Sequence, residues 1–180
     1  MANQICNLSP QNLLIITLIS LLSINKSLHE TGAQETGMSL IESTCRKTEY
    51  PEECISALES DPSSFNANLT GLTRIAVQKS ESKLVDTLNT VSSFVLNATD
   101  YMTWGFLLFC RDSYNASVPQ IQEGLQAFDK LEFEKSYRSV EAVNKAVVEC
   151  DKQGLKMLSQ VNSVLFRLTK DTMAIMDLLF

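Results

Sequence analysis

Ten residues, Cys45-Arg46-Lys47-Thr48-Glu49-Tyr50-Pro51-Glu52-Glu53-Cys54, constrain this chain more than any other stretch. Two cysteines bracket a Tyr-Pro corner, with helix-forming sequence on both sides. Pro51 cannot continue a helix that precedes it, and it biases Tyr50 away from helical angles. Proline is comfortable, however, in the first turn of a helix. The segment therefore reads as helix, sharp corner, helix. A disulfide across the corner would fix a small helical hairpin.

The rest of the chain carries helical periodicity. A short helix is expected over Met38 to Lys47 and another over Pro51 to Ser60, with Asp61-Pro62-Ser63-Ser64 opening a loop. Leu69, Leu72, Ala76, Ser80, Leu84, Leu88, Val91 and Val95 then step by threes and fours, which is one face of a long helix. Leu107, Cys110, Tyr114, Val118, Ile121, Leu125 and Phe128 make a second stripe, with Pro119 inside it and a kink expected there. Trp104, Phe106 and Phe109 add apolar bulk that would cap one end of the core. Phe133, Tyr137, Val140, Val143, Val147 and Cys150 form a third stripe, and Leu158, Val161, Leu165, Leu168, Thr172, Met176 and Leu179 a fourth. Met157, Met173 and Met176 read as core filler. With only 6 Gly and 4 Pro in 180 residues, breakers are scarce, which favours helix over strand. The expected fold is all-α: an up-down-up-down four-helix bundle with an N-terminal helical hairpin.

The first residues differ in character. Leu13 to Ile24 is apolar apart from Thr17, Ser20 and Ser23, and no acidic residue precedes Glu30. That run is too short to span a bilayer and fits the apolar region of a signal peptide. Residues 1–27 are read as a signal peptide, with cleavage between 23 and 33, followed by a flexible segment over 28–37 and a domain over 38–180. Cleavage would remove Cys6, one of 5 cysteines, and leave Cys45, Cys54, Cys110 and Cys150. Four cysteines in a secreted chain allow two disulfides in three connectivities. Cys110 and Cys150 lie on the apolar stripes of successive helices, so the pairing Cys45–Cys54 and Cys110–Cys150 fits both the local corner and the stripes. Loop closure would then contribute roughly 2.5–3 kcal/mol at the corner and roughly 4 kcal/mol across the longer loop. Asn68, Asn97 and Asn115 each begin an Asn-x-Ser/Thr sequon and are candidate glycosylation sites.

Catalytic constellations are missing from the expected domain. His29 is the sole histidine and lies upstream of it, so a Ser-His-Asp or Cys-His site has no base. No phosphate-cradling glycine loop occurs. The cysteines lack metal-ligand spacing, and no metal or cofactor is expected. Glu52-Glu53 reads as a solvated pair on a short helix. A net charge of −6 argues against nucleic acid as a partner. A binding module is the leading class, with no membrane association once the signal is removed.

The Cys45-to-Cys54 corner, followed by Ala57-Leu58-Glu59-Ser60-Asp61-Pro62-Ser63-Ser64 and Leu69-Thr70-Gly71-Leu72, resembles the plant invertase and pectin methylesterase inhibitor family. Cys110-Arg111-Asp112-Ser113-Tyr114, the distance to Cys150 and the closing Met173-Ala174-Ile175-Met176-Asp177-Leu178-Leu179 extend the resemblance from about Ser39 to the C-terminus. It implies the same bundle, hairpin and disulfide pairing. It also implies a secreted protein of the apoplast, cell wall or vacuole that does no chemistry and blocks a carbohydrate-active enzyme in a 1:1 complex. The family divides by target. In its pectin methylesterase inhibitors a bundle face lies over the enzyme's pectin cleft. In its invertase inhibitors a Pro-Lys-Phe motif early in the helix bearing the fourth cysteine enters the sucrose site. The corresponding residues here are Phe133-Glu134-Lys135, with an acidic residue in place of the lysine. Pectin methylesterase is thus the expected target, acid invertase the alternative, and a secreted bundle with no enzyme target a further one. The solvated faces nominate Arg74, Gln78, Ser82, Asp86 and Asn89 on one helix, with Asp112 and Glu123 on the next, as target-facing residues.

Overall fold

The structure, a computed structural model, describes residues 37–180. The expected signal peptide and all but the last residue of the segment over 28–37 lie outside the described residues. Six α-helices follow in order: α1 Met38–Cys45, α2 Pro51–Glu59, α3 Leu69–Asn97, α4 Tyr101–Asp129, α5 Phe133–Asp151 and α6 Ser159–Met176. Single 3-10 turns at Pro62–Asn66, Lys156–Leu158 and Asp177–Leu179 fill the joints, and no strand occurs among the described residues.

Local chemistry sets the boundaries. Pro51 occupies the first turn of α2, with Glu52 and Glu53 beside it favouring the positive end of the helix dipole. The Asn68 side chain accepts the Gly71 N–H at 2.9 Å and starts α3. Asp100 does the same for α4 through Thr103 N–H at 2.9 Å. Asp61-Pro62-Ser63-Ser64, read as a loop, is a capped 3-10 turn in which the Asp61 carboxylate accepts the Ser63 N–H. Helix α4 runs unbroken through Pro119. The proline and Asn115, whose carbonyl loses its donor, are both exposed, so water can take the missing bond.

The four long helices close a ring: α3 packs on α4, α4 on α5, α5 on α6 and α6 back on α3, with little contact between α3 and α5 across the diagonal. This is the up-down-up-down bundle. Its core has a seven-residue beat. Val77, Leu84 and Val91 of α3, Leu107, Tyr114, Ile121 and Phe128 of α4, and Val140 and Val147 of α5 are all buried in one cluster. Polar bridges cross it. Tyr114 Oη donates to Asn162 Oδ1 at 2.8 Å, and Asn162 Nδ2 donates to Asp151 Oδ1 at 2.6 Å, tying α4, α6 and the end of α5. Asn144 Nδ2 donates to Thr169 Oγ1 at 2.8 Å, and the Ser80 and Thr172 hydroxyls meet at 2.9 Å. Tyr114, Asn162, Thr169, Ser80 and Thr172 are buried, each with a partner, which is the condition for tolerating them.

Both expected disulfides are present, with Cα–Cα distances of 5.5 Å for Cys45–Cys54 and 5.0 Å for Cys110–Cys150. The first sits in a second apolar cluster, where Ile41, Cys45, Cys54 and Leu58 of the hairpin bury Leu72, Ile75 and Ala76 of α3 and Ile175 of α6. Two sequence expectations fail. Trp104 and Phe109 do not cap the core; they are exposed at the start of α4, because their positions fall off its buried stripe. Met157 is likewise exposed, since it belongs to a 3-10 turn outside the helical repeat, whereas Met173 and Met176 are buried as expected.

Candidate functional site

The target-facing residues nominated by sequence lie along α3 and α4, which are antiparallel neighbours. Their register is pinned near one end by Arg74, whose Nε and Nη2 donate to the two carboxylate oxygens of Asp129 at 2.6 and 3.0 Å. This fork geometry holds the Asp129 carboxyl below its ordinary value, the hydrogen bond from Arg74 being the main cause. Arg74 is therefore occupied as a clamp between helix ends, and the partner was invisible in the sequence because 55 positions separate the two residues.

Counting back from that clamp puts Glu123 level with the Ser80 turn of α3 and Asp112 level with the Val91 turn. Ser82, Asp86 and Asn89 on α3 and Asp112 and Glu123 on α4 are exposed, and Gln78 is half-buried. Asp112 is held by its neighbour Arg111 at 2.7 Å. The strip is long, polar and acidic. Asn115 is exposed on the same helix as Asp112 and Glu123.

A second feature lies where α4 meets α5. Leu131, Phe133, Glu134, Lys135, Arg138 and Phe180 line a surface concavity of about 590 Å³. Leu131 is 70% exposed and adopts φ of 64°, a left-handed conformation that costs a side-chain-bearing residue roughly 1–2 kcal/mol. The rings of Phe133 and Phe128 lie 5.0 Å apart, and Phe180 approaches Phe133 edge-on at 6.5 Å. Glu134 does not point a free charge into this hollow; it accepts Arg138 Nε and Nη2 one helical turn on. No local pattern in the sequence marked Leu131 or Phe180 as parts of one surface, because only the end of α6 brings Phe180 there.

No group of histidine, cysteine and carboxylate side chains suited to a metal occurs among the described residues. No helix among them is long and apolar enough to cross a membrane. Asp171, whose carboxyl is pushed up to about 6 by burial, sits between the hairpin and α6 rather than at either surface.

Comparisons with known proteins agree with this architecture. The family described as plant invertase/pectin methylesterase inhibitor matches residues 39–175. A pectinesterase inhibitor of Actinidia deliciosa is 30% identical over 114 residues, covering 63% of this chain and 58% of that protein. A cell wall / vacuolar inhibitor of fructosidase of Arabidopsis thaliana is 32% identical over 100 residues, covering 54% of this chain and 55% of that protein. The chain thus spans a little more than half the length of these relatives. Among solved structures, a mutant form of a pectin methylesterase inhibitor from Arabidopsis superposes with a TM-score of 0.66 at 17% identity, covering 79% of this chain and 97% of the other. A pectin methylesterase inhibitor from Arabidopsis thaliana gives 0.59 at 16% identity, covering 78% and 95%. At such identities the structures speak for the fold. With the matched span running from before the first disulfide almost to the end of α6, the chain belongs to the plant invertase/pectin methylesterase inhibitor family.

Proposed function

We propose that this protein is a secreted, non-catalytic inhibitor that lies over the active-site cleft of a plant pectin methylesterase in a 1:1 complex, in the cell wall or apoplast. Family membership supports the inhibitory class, and the likeness to the Actinidia pectinesterase inhibitor supports the target. The observation that carries the choice of target is at the start of α5. Where the resemblance to invertase inhibitors calls for a lysine free to enter a sugar site, this chain places Glu134, neutralised by Arg138. The extended polar strip of α3 and α4, with Ser82, Asp86, Asn89, Asp112 and Glu123 exposed, is the surface available for a broad cleft.

The alternative target is an acid invertase of wall or vacuole, favoured by the 32% identity to the fructosidase inhibitor. One paired experiment separates the readings. The oxidised protein is titrated against pectin methylesterases and acid invertases at mildly acidic and neutral pH, and each mixture is run on a sizing column. Inhibition of a pectin methylesterase with a 1:1 peak is expected. Inhibition of invertase alone moves the assignment to the alternative, and silence toward both removes the inhibitor reading. Secretion is tested apart from this, by sequencing the mature N-terminus recovered from apoplastic fluid.

A further inference from the structure

The turn between α3 and α4 carries an aromatic step that the fold does not use. Tyr101 is 82% exposed and Trp104 39% exposed, although both are large rings with apolar faces. Their centroids lie 5.9 Å apart with planes inclined by 30°, so the two rings form one stacked ledge. Ala98, Thr99, Asp100, Tyr101 and Trp104 together line a shallow hollow of about 390 Å³. Leu96 and Met102 beside it are also exposed. Clustered exposed apolar groups on a folded surface are a feature that binding sites use.

The sequence supplies an occupant on the rim. Asn97-Ala98-Thr99 is an intact sequon. Asn97 is the last residue of α3 and is exposed, while Ala98 and Thr99 belong to the wall of the hollow itself. We propose that Asn97 carries an N-linked glycan whose first sugars lie on the Tyr101–Trp104 ledge. The proposal rests on the reading of this chain as one that enters the secretory pathway. The covalent step is oligosaccharyl transfer from a lipid-pyrophosphate-linked oligosaccharide, the co-reactant of that compartment. Asn97 Nδ2 bonds to the anomeric carbon, the bond from that carbon to the pyrophosphate oxygen breaks, the lipid pyrophosphate leaves with the electron pair, and the amide nitrogen gives up one proton.

The chemistry of the ledge suits a sugar better than an apolar peptide. The axial C–H groups of a pyranose present a weakly positive, apolar face, and a ring π-system presents a negative one. Its hydroxyl edge needs polar neighbours, and Thr99 and Asp100 stand there. Stacking of this sort is too weak to hold a free monosaccharide. A tethered one is different, since a short covalent link gives an effective concentration on the order of millimolar. In the unglycosylated chain Asn97 Nδ2 donates back to the Ser93 carbonyl at 2.7 Å, so the amide has to swing off the end of α3 for its sugar to reach the ledge.

Trp104 is the sole tryptophan of the chain, so its emission reports on this ledge alone. The full chain is produced behind an added secretion leader in a eukaryotic host, so that access to the glycosylation machinery does not depend on residues 1–27. Glycopeptide mass spectrometry reads occupancy at Asn97, and acrylamide quenching reads Trp104 before and after enzymatic glycan removal. Occupancy is expected, together with a roughly twofold rise in quenching on removal, because the sugar shields about half of the part of the Trp104 ring that the fold leaves exposed. The Asn97→Gln protein should quench like the deglycosylated one. An empty Asn97 overturns the proposal. So does an occupied Asn97 whose removal leaves Trp104 quenching unchanged, which would mean a glycan that points away. Neither result bears on secretion by the native leader, which the mature N-terminus decides.

Discussion

Asp171, near the end of α6, accepts the backbone N–H of Tyr50 at 3.0 Å, across 121 positions of sequence. The carboxylate is 1% exposed, and Tyr50 is the residue immediately before the proline of the hairpin corner. One buried side chain of the bundle thus receives the hairpin at its sharpest point. Around it, Arg167 pairs with Glu53 at 2.6 Å and lies 5.7 Å over the Tyr50 ring, and Lys170 approaches Glu49 at 3.9 Å.

Burial pushes the Asp171 carboxyl up from its ordinary 3.8 to about 6, with Glu53 and Glu49 adding to the rise and the Tyr50 N–H opposing it. The folded state then holds a proton that the unfolded chain has already released. Stability from this group rises as pH falls through about 6 and is complete below about 4, a span worth about 3 kcal/mol. Urea midpoints between pH 7.5 and 4.5 should show the gain, and Asp171→Asn should flatten it. An unchanged slope in the variant would remove Asp171 as its source. Asp61, Asp100 and Asp129, lowered by hydrogen bonds from Ser63, Thr103 and Arg74 respectively, act in the other direction but only below their ordinary 3.8.

Arg167→Ala should loosen the hairpin more than the bundle. It removes both the ion pair with Glu53 and the stack on Tyr50, about 1 kcal/mol in a partly exposed setting. Hydrogen exchange should accelerate in α1 and α2 while the centres of α4 and α5 keep their protection. Arg167→Lys should recover only part, because an ammonium has no planar group to lie over Tyr50 while it pairs with Glu53. Uniform acceleration along the chain would contradict the local role.

Gly124 is a place where α4 approaches α5 closely. A Cβ there would collide with the Ser139 side chain, whose Oγ would lie 2.7 Å away. Gly124→Ala should cost about 1–3 kcal/mol through overpacking, despite alanine's better helix propensity. Adding Ser139→Gly removes the obstacle, so the double variant should recover most of the loss in a denaturation cycle. Strict additivity of the two losses would argue against this contact as the cause.

Leu131→Gly should stabilise. Its φ of 64° suits glycine, the side chain is largely exposed, and relief of roughly 1 kcal/mol is expected. A lower thermal midpoint would show instead that the contact with the Phe133 hollow outweighs the backbone strain.

For the proposed inhibition, Glu123→Arg and Ser82→Arg should each weaken pectin methylesterase binding about tenfold or more without lowering the thermal midpoint, since both are exposed and make no bridging contact. Glu134→Ala should leave it unchanged. Equal potency of all three would place the interface elsewhere.

The bundle was legible in the sequence because its stripes are long and locally periodic, and the hairpin because proline acts on its own neighbour. The disulfides followed from those two facts. Asp171 was not legible, since it lies among the fourth-stripe residues and its donor is a backbone group far away in sequence. Gly124 was not legible either, since its reason is Ser139, which only the packing of α5 brings opposite. Trp104 and Phe109 misled because bulk was read as burial, whereas angular position around α4 decides. Of the target-facing set, Arg74 was read as wet and is instead engaged by Asp129, while Ser82, Asp86, Asn89, Asp112 and Glu123 are where solvated positions should be.

The α4–α5 pair is joined twice, by Cys110–Cys150 and, 14 positions along α4, by the Gly124–Ser139 approach. Two pins about 20 Å apart turn two rods into one plank. Sliding at either pin is blocked by the other, whereas the ion pair Arg74–Asp129 pins α3 to α4 near one end only. A partner gripping α3 together with α4 would therefore hold a board pinned at one end against one pinned twice, and would read the seam between them.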